Sequence, residues 1–244
     1  MLKFICIVKG VSIMKIRYIS ENALVCNFDS VIDSHINRRV LSLKHEIEAL
    51  NIHGVEEMVT SYSTLVIYFN DDITHDTLAA QIKQLKLEQP EGKQAKVFTI
   101  PVCYEDGLDL EELAAYCKVS PAEVIERHTS RQYLIYMLGF MPGFPFLGGL
   151  DPAIAKPRKE TPRKEIPAGS VGIANEQTGM YPISSPGGWN IIGRTPVKLF
   201  DTERTPSVYY EAGDYIQFRA ISKEEYTAIE QNQNYRIEVK EIES

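Results

Sequence analysis

Two domains of different class are predicted for this chain of 244 residues: an α+β sandwich over 14–92 and a mostly-β, barrel-like domain over 93–244. Three observations carry the expectation. The first hundred residues alternate short β-like runs with two amphipathic stripes in the order ββαββαβ. The second half holds many short strands separated by turns. Between Gly139 and Thr195 lie ten of the fifteen glycines, eight of the thirteen prolines and the single tryptophan. Such punctuation builds tight, shaped turns, because glycine reaches positive φ and proline holds φ fixed.

Taken in order, residues 1–13 read as an extension or an alternative start. Phe4–Val8 is apolar but Lys9 interrupts it, which is too short for a secretory core or a membrane span, and Met14 opens a plausible strand. Lys15–Ile19 and Ala23–Phe28 are strands. Ile32, Ile36, Val40, Leu43, Ile47 and Leu50 form one apolar stripe at helical spacing, with Asp29 or Ser30 as cap and His53-Gly54 after the end. Val55–Ser61 and Ser63–Phe69 form a hairpin. A second helix covers about Thr74–Leu87, a polar turn covers Gln89–Lys93, and Lys96–Cys103 is a strand. With helices on one face of an antiparallel sheet, this is the sandwich.

Leu110–Lys118 is a short helix. Ser120-Pro121-Ala122-Glu123 is a strong start signal for the next, with Ser as cap, Pro in the first turn and Glu at the third position; that helix runs to about Arg131. Tyr133–Leu138, Val197–Phe200, Ser207–Tyr210, Tyr215–Ala220 and Tyr235–Val239 read as strands, and Ser222 to about Asn232 as a capped helix.

The composition, 44% hydrophobic and 24% charged, is that of a soluble globular protein. A formal charge of −7 disfavours nucleic-acid binding, and no segment reads as membrane-spanning. The four cysteines form no C-x-x-C pair and the histidines are scattered, so no metal site is expected, and a reducing, cytoplasmic setting is. There is no G-x-S-x-G elbow, phosphate loop or dinucleotide glycine pattern.

The site-like region is the Gly/Pro stretch. Its polar and charged groups include Arg158, Arg163, Gln177, Tyr181, Ser184, Ser185 and Arg194, with Trp189 and Phe144 as aromatic surfaces. Arginine forks suit carboxylates and phosphates. Arg158 and Arg163 belong to the run 156–165 (KPRKETPRKE), which reads either as a solvated loop or as an anion-binding rim. Arg194, framed by Gly193 and Thr195-Pro196, is either aimed into a groove or paired locally. Trp189 is either core or groove wall. Phe144 and Phe146 read more readily as core. Ser185-Pro186-Gly187-Gly188 is either an anion nest or a hairpin turn. His128, late in its helix, is a candidate base, against a structural role.

The stretch 137–150 (MLGFMPGFPFLGGL), followed by Pro157-Arg158, Pro162-Arg163, Ile166-Pro167-Ala168-Gly169-Ser170-Val171-Gly172-Ile173-Ala174, Gln177-Thr178-Gly179-Met180-Tyr181-Pro182 and the run 184–195, resembles the B subunits of 5-oxoprolinase. That family is also called allophanate hydrolase subunit 1 and includes the Kip-type inhibitor of a sporulation histidine kinase. The likeness runs from about Met14 to Phe218. It implies an N-terminal α+β domain, a C-terminal cyclophilin-like β-barrel, and partnership with subunits C and A in a hydrolase that opens 5-oxoproline to glutamate using ATP with Mg²⁺ at the level of the complex. On that likeness the chain alone is expected to be inactive, and Arg158, Arg163 and Arg194 to stabilise phosphate or substrate-carboxylate charge. By their own chemistry and placement in the chain, Arg194 and His128 are the catalytic candidates and Arg158, Arg163, Gln177, Tyr181, Ser185, Trp189 and Phe144 the substrate-binding ones. The alternative is inhibition of histidine-kinase autophosphorylation. Self-association is a further expectation if the aromatic surface is exposed.

Overall fold

The computed structural model describes residues 4–6, 14–29, 31–85 and 94–243. The chain divides into two compact units, one ending at Lys93 and the other beginning at Gln94.

The first unit is one antiparallel sheet with two helices. Its strands are β1 (Phe4–Cys6), β2 (Met14–Ser20), β3 (Ala23–Asn27), β4 (Val55–Thr60) and β5 (Thr64–Phe69), in the order β1-β2-β3-β5-β4. Helix α1 (Ser34–Leu50) starts at Asp33, whose carboxylate accepts the His35 and Ile36 amides, not at Asp29; Ser30 lies outside the described residues. The apolar stripe therefore begins one turn later than its pattern suggests, and Ile32 stands exposed before the cap. α2 (His75–Gln84) is capped by Thr74. The helices bury Val40, Leu43, Ile47, Leu78 and Ile82 against Leu24, Cys26, Leu65 and Ile67 of the strands. The expected turn over 89–93 and the expected end of α2 at Leu87 lie outside the described residues.

The seventh element of the ββαββαβ reading is no part of that sheet. β6 (Gln94–Val102) belongs to the second unit, where it pairs in parallel with β14 (Tyr215–Ala220). α3 (Leu110–Cys117) and α4 (Pro121–Thr129) follow, the latter with Ser120 accepting the Glu123 amide as its start signal requires. Then come β7 (Gln132–Leu138), β8 (Pro145–Gly148), β9 (Arg163–Ile166), β10 (Ser170–Ala174), β11 (Gln177–Met180), β12 (Ser185–Gly187) and β13 (Asn190–Arg194). After β14, α5 (Lys223–Gln231) is capped by Ser222, and β15 is Glu238–Glu243, later than the expected Tyr235–Val239. Residues 197–200 and 207–210 are not strands; a single bridge, Phe200 to Val208, joins them. β9 and β12 form a separate two-stranded ribbon.

The main sheet runs β13-β10-β11-β8-β7-β14-β6-β15. Its first strand meets its seventh: Cys103, directly after β6, exchanges hydrogen bonds of 2.8 and 2.9 Å with Arg194 of β13. Seven strands thus close on themselves, with β15 outside the ring. Inward positions alternate as the pleat demands: Phe98, Ile100 and Val102, then Tyr133 and Ile135, Val171 and Ile173, Ile216 and Phe218 share one core. A second, smaller cluster gathers Phe144, Ile166, Ala174, Tyr181, Trp189 and Ile191, and it carries the most site-like cavity.

Candidate functional site

The cavity grows from a pair of glycines. Gly172 on β10 faces Gly179 on β11 across the ladder. With no Cβ on either, the Trp189 ring lies directly over backbone; a Cβ at Gly179 would sit 3.0 Å from the indole and 3.1 Å from the Phe144 ring. Phe144 then meets Tyr181 and Trp189 edge-on, at centroid distances of 5.2 and 5.4 Å. Phe146 tilts against Phe144 at 5.0 Å, and Phe140 meets Phe144 edge-on at 5.8 Å. These five rings wall a cavity of about 290 Å³. Arg158, Pro162, Pro186, Gly187 and Gly188 complete it.

Three of the rings are buried, but Phe140 is 69% exposed and holds φ at 67°. An exposed phenylalanine in left-handed backbone costs energy twice, in hydration and in torsion. Such a residue at a cavity mouth fits a binding role better than a packing role.

The polar groups are few. The Arg158 guanidinium stands 5.8 Å from the Trp189 ring centre. No carboxylate among the described residues pairs with it. The other basic groups nearby are committed. Arg163 makes a two-pronged bond to Asp109 at 2.6 and 2.8 Å. Lys159 reaches Asp109 and Glu112 at 2.9 and 2.8 Å, and Lys156 reaches Glu112 at 2.5 Å. Asp109 is 2% exposed. Burial alone would raise its pKa, but the hydrogen bonds from Arg163, Lys159 and the Ile191 amide outweigh that and hold it below the usual carboxylate range. Burial pushes the Tyr181 hydroxyl pKa up to about 12, opposed by the nearby Arg158 charge and the Trp189 backbone, so it remains a neutral phenol. The Trp189 indole N–H has no acceptor among the described residues.

Of the residues expected at a site, the structure brings together Arg158, Tyr181, Trp189 and Phe144, with Gly187 and Gly188 beside them. It separates the others. Arg163 is an ion-pair partner of Asp109, because a buried carboxylate needs a compensating charge. Arg194 closes the sheet: its backbone pairs with Cys103 and its Nε donates to the Ala168 carbonyl at 3.0 Å. Gln177 starts β11 and does not line the cavity. Ser185 turns its hydroxyl to the Pro186 carbonyl.

His128 is no base candidate in this fold. It is fully buried, stacked on Phe218 at 4.4 Å. Thr178 Oγ1 donates to the Gly172 carbonyl, so it accepts from His128 Nε2, and Nδ1 accepts from the Tyr104 hydroxyl at 2.7 Å. Both ring nitrogens are used, and burial lowers the imidazole pKa to about 3.

Phe140, Phe146, Pro162 and Pro186 also line the cavity, beyond the residues expected to bind. Their signal in the chain is the density of aromatics among turns, which no single position carries. Among the described residues no group of three or more His, Cys, Asp or Glu could hold a metal ion, and no helix is long and apolar enough to cross a membrane.

Residues 14–210 match the family model described as the carboxyltransferase domain, subdomain C and D. The chain is 38% identical over 240 residues to the B subunit of 5-oxoprolinase from Bacillus subtilis (strain 168), covering 91% of this chain and 100% of that protein. Among solved structures, the crystal structure of TTHA0988 superposes with a TM-score of 0.75 at 34% identity over 82% of this chain, which spans only 40% of that chain. The urea amidolyase of K. lactis shares the fold, with a TM-score of 0.78 over 99% of this chain and 17% of its own, at 19% identity.

Proposed function

The chain belongs to the carboxyltransferase-domain, subdomain C and D, family, the family of the 5-oxoprolinase B subunits, and from that premise we propose that it serves as the B subunit of an ATP-dependent 5-oxoprolinase. One observation carries the reading: the B. subtilis protein of that name is matched along its whole length. We read the closed sheet of the second unit as the cyclophilin-like barrel of the family; its support is the seven-strand ring joined at Cys103 and Arg194. Fold alone does not make it a prolyl isomerase.

In this reading the reaction opens the lactam of 5-oxoproline to L-glutamate in the cytoplasm. The amide oxygen takes the γ-phosphoryl group of ATP and ADP departs. Water then adds to the activated carbon and the ring C–N bond breaks, the nitrogen taking a proton. A second water releases phosphate from the resulting acyl phosphate. The cavity lining of this chain offers a cation, a phenol, an indole N–H and aromatic walls. These groups bind and orient; none is a base or nucleophile at neutral pH. Mg²⁺-ATP and the proton-transfer groups therefore come from the assembled complex with subunits A and C, and the chain alone is inactive.

The test is glutamate release from 5-oxoproline and Mg²⁺-ATP by the co-purified subunits, with each omitted in turn. Activity should vanish without this chain. Activity that persists overturns the reading and directs attention to inhibition of histidine-kinase autophosphorylation.

A further inference from the structure

Four features set the aromatic cavity apart from the rest of the second unit. Arg158 is held over Trp189 by the ring's negative face, an attraction that uses none of its N–H donors. It is the basic group of 156–163 that no carboxylate neutralises among the described residues, while Lys156, Lys159 and Arg163 are all paired. The Tyr181 hydroxyl has no acceptor among the described residues, so its O–H is left to donate. The indole N–H is likewise without a protein acceptor among the described residues. A guanidinium fork together with two neutral donors, set among aromatic rings, calls for a flat ligand with a carboxylate at one end and a carbonyl oxygen at the other.

The volume limits the ligand's size. About 290 Å³ lies at the lower end of the range for small-molecule sites, roughly 300–1,000 Å³. That suits a ligand of about ten non-hydrogen atoms and leaves little room for a long peptide. Gly187 and Gly188 form part of the wall, and a Cβ on Gly187 would run into the Tyr181 hydroxyl and Ile166. The close approach of backbone there keeps the donors exposed to the cavity.

We propose that this cavity is a binding site, within this chain itself, for a five-membered lactam carboxylate, with Arg158 taking the carboxylate and Tyr181 and Trp189 facing the lactam carbonyl. The assignment of the ligand rests on the 5-oxoprolinase reading; the existence of an anion-dependent site in this chain does not. Phe140, exposed at the mouth with its strained backbone, covers the ring once it is bound. Arg158 is thus a binding and orienting residue, and it leaves the phosphoryl chemistry to the complex.

The chain carries one tryptophan, and it forms the cavity wall, so its fluorescence reports on the site directly. The full chain, without partners, is titrated with 5-oxoproline, with 2-pyrrolidinone (the same ring without the carboxylate) and with N-acetyl-alanyl-proline amide. The expected result is a saturable change with 5-oxoproline, weakened at least about 10-fold by loss of the carboxylate and to a similar degree by Arg158→Ala, with partial recovery in Arg158→Lys. Unchanged melting of Arg158→Ala, which breaks no ion pair, shows that the variant is folded. Equal responses to 5-oxoproline and 2-pyrrolidinone, or a response to the proline amide that ignores Arg158, overturn the proposal. No response in the isolated chain, while the complex still requires this chain for turnover, removes the site and leaves the enzyme reading standing. Saturable binding with full turnover in the absence of this chain does the reverse.

Discussion

Two aromatic clusters of the second unit use similar parts and end differently. Around His128, the rings of Tyr104, Tyr133 and Phe218 enclose an imidazole whose two nitrogens both have partners. Around Trp189, the rings of Phe144, Phe146 and Tyr181 enclose a space, and the nearby guanidinium and indole N–H lack acceptors among the described residues. The first cluster is closed chemistry: each donor has met its acceptor, and a proton entering would have to displace one. The second is open chemistry. A satisfied polar group in a core builds the fold, whereas an unsatisfied one beside a cavity marks a ligand. The same rule separates Arg163 from Arg158 within one charge run.

That distinction can be broken by experiment. The largest effect is expected at Arg163. Removing it in Arg163→Ala leaves Asp109 buried with only the Lys159 charge and the Ile191 amide to answer it, at a cost of about 3 kcal/mol in chemical denaturation. Arg158→Ala should leave the unfolding midpoint where it was and act on binding alone. Equal destabilisation by the two substitutions would erase the contrast between paired and unpaired arginine.

Next is Gly187→Ala. Its methyl group must push against Tyr181 and Ile166, and overpacking of this kind costs about 2 kcal/mol. The change should also weaken the Trp189 fluorescence response to ligand. A variant as stable and as responsive as the parent would show that the wall yields freely.

The closed cluster makes a pH prediction. An ordinary histidine titrates near about 6.5, but burial lowers His128 to about 3. Between those values the unfolded chain binds a proton that the folded chain refuses. The stability held above that ordinary value is therefore lost as pH falls toward the lowered one, at up to about 1.4 kcal/mol per pH unit from this one group. Denaturation measured from about pH 7 down to about pH 5 should show the slope, and His128→Leu should flatten it. A slope unchanged in that variant would mean that other groups set it.

A small effect on stability is expected at Phe140→Gly. Glycine relieves the positive φ, worth about 1 kcal/mol, while the lost edge contact with Phe144 offsets part of that gain. Net stability should move by less than about 1 kcal/mol, yet binding at Trp189 should weaken. A clear loss of stability with binding intact would make Phe140 a packing residue.

Much of the first unit, and the helix starts of the second, are legible in the chain because their cues are local. Apolar spacing marks α1 and α2, and Ser120 and Ser222 announce α4 and α5 from the residues beside them. Local rules misplace the cap of α1 because Asp29, Ser30 and Asp33 are all competent caps, and it is Asp33 whose carboxylate meets the free amides. Residues 197–200 and 207–210 have strand-like composition but lie outside the ladder, since β propensity needs a neighbouring strand to act on.

At the cavity, the chain by itself determined the materials: aromatics, glycines and prolines concentrated between Gly139 and Thr195, and a run of basic residues within it. It also determined the family, through motifs long enough to be specific. Which arginine is free was decided only by tertiary structure. Asp109 lies 54 positions from Arg163, and Glu112 lies 44 positions from Lys156. No local rule brings those carboxylates to the basic run, and packing alone sets the distances. The same holds for His128, whose partner Thr178 is 50 positions away. Charge and burial act through space, so the chain shows which groups can react, while the fold shows which of them have already found a partner.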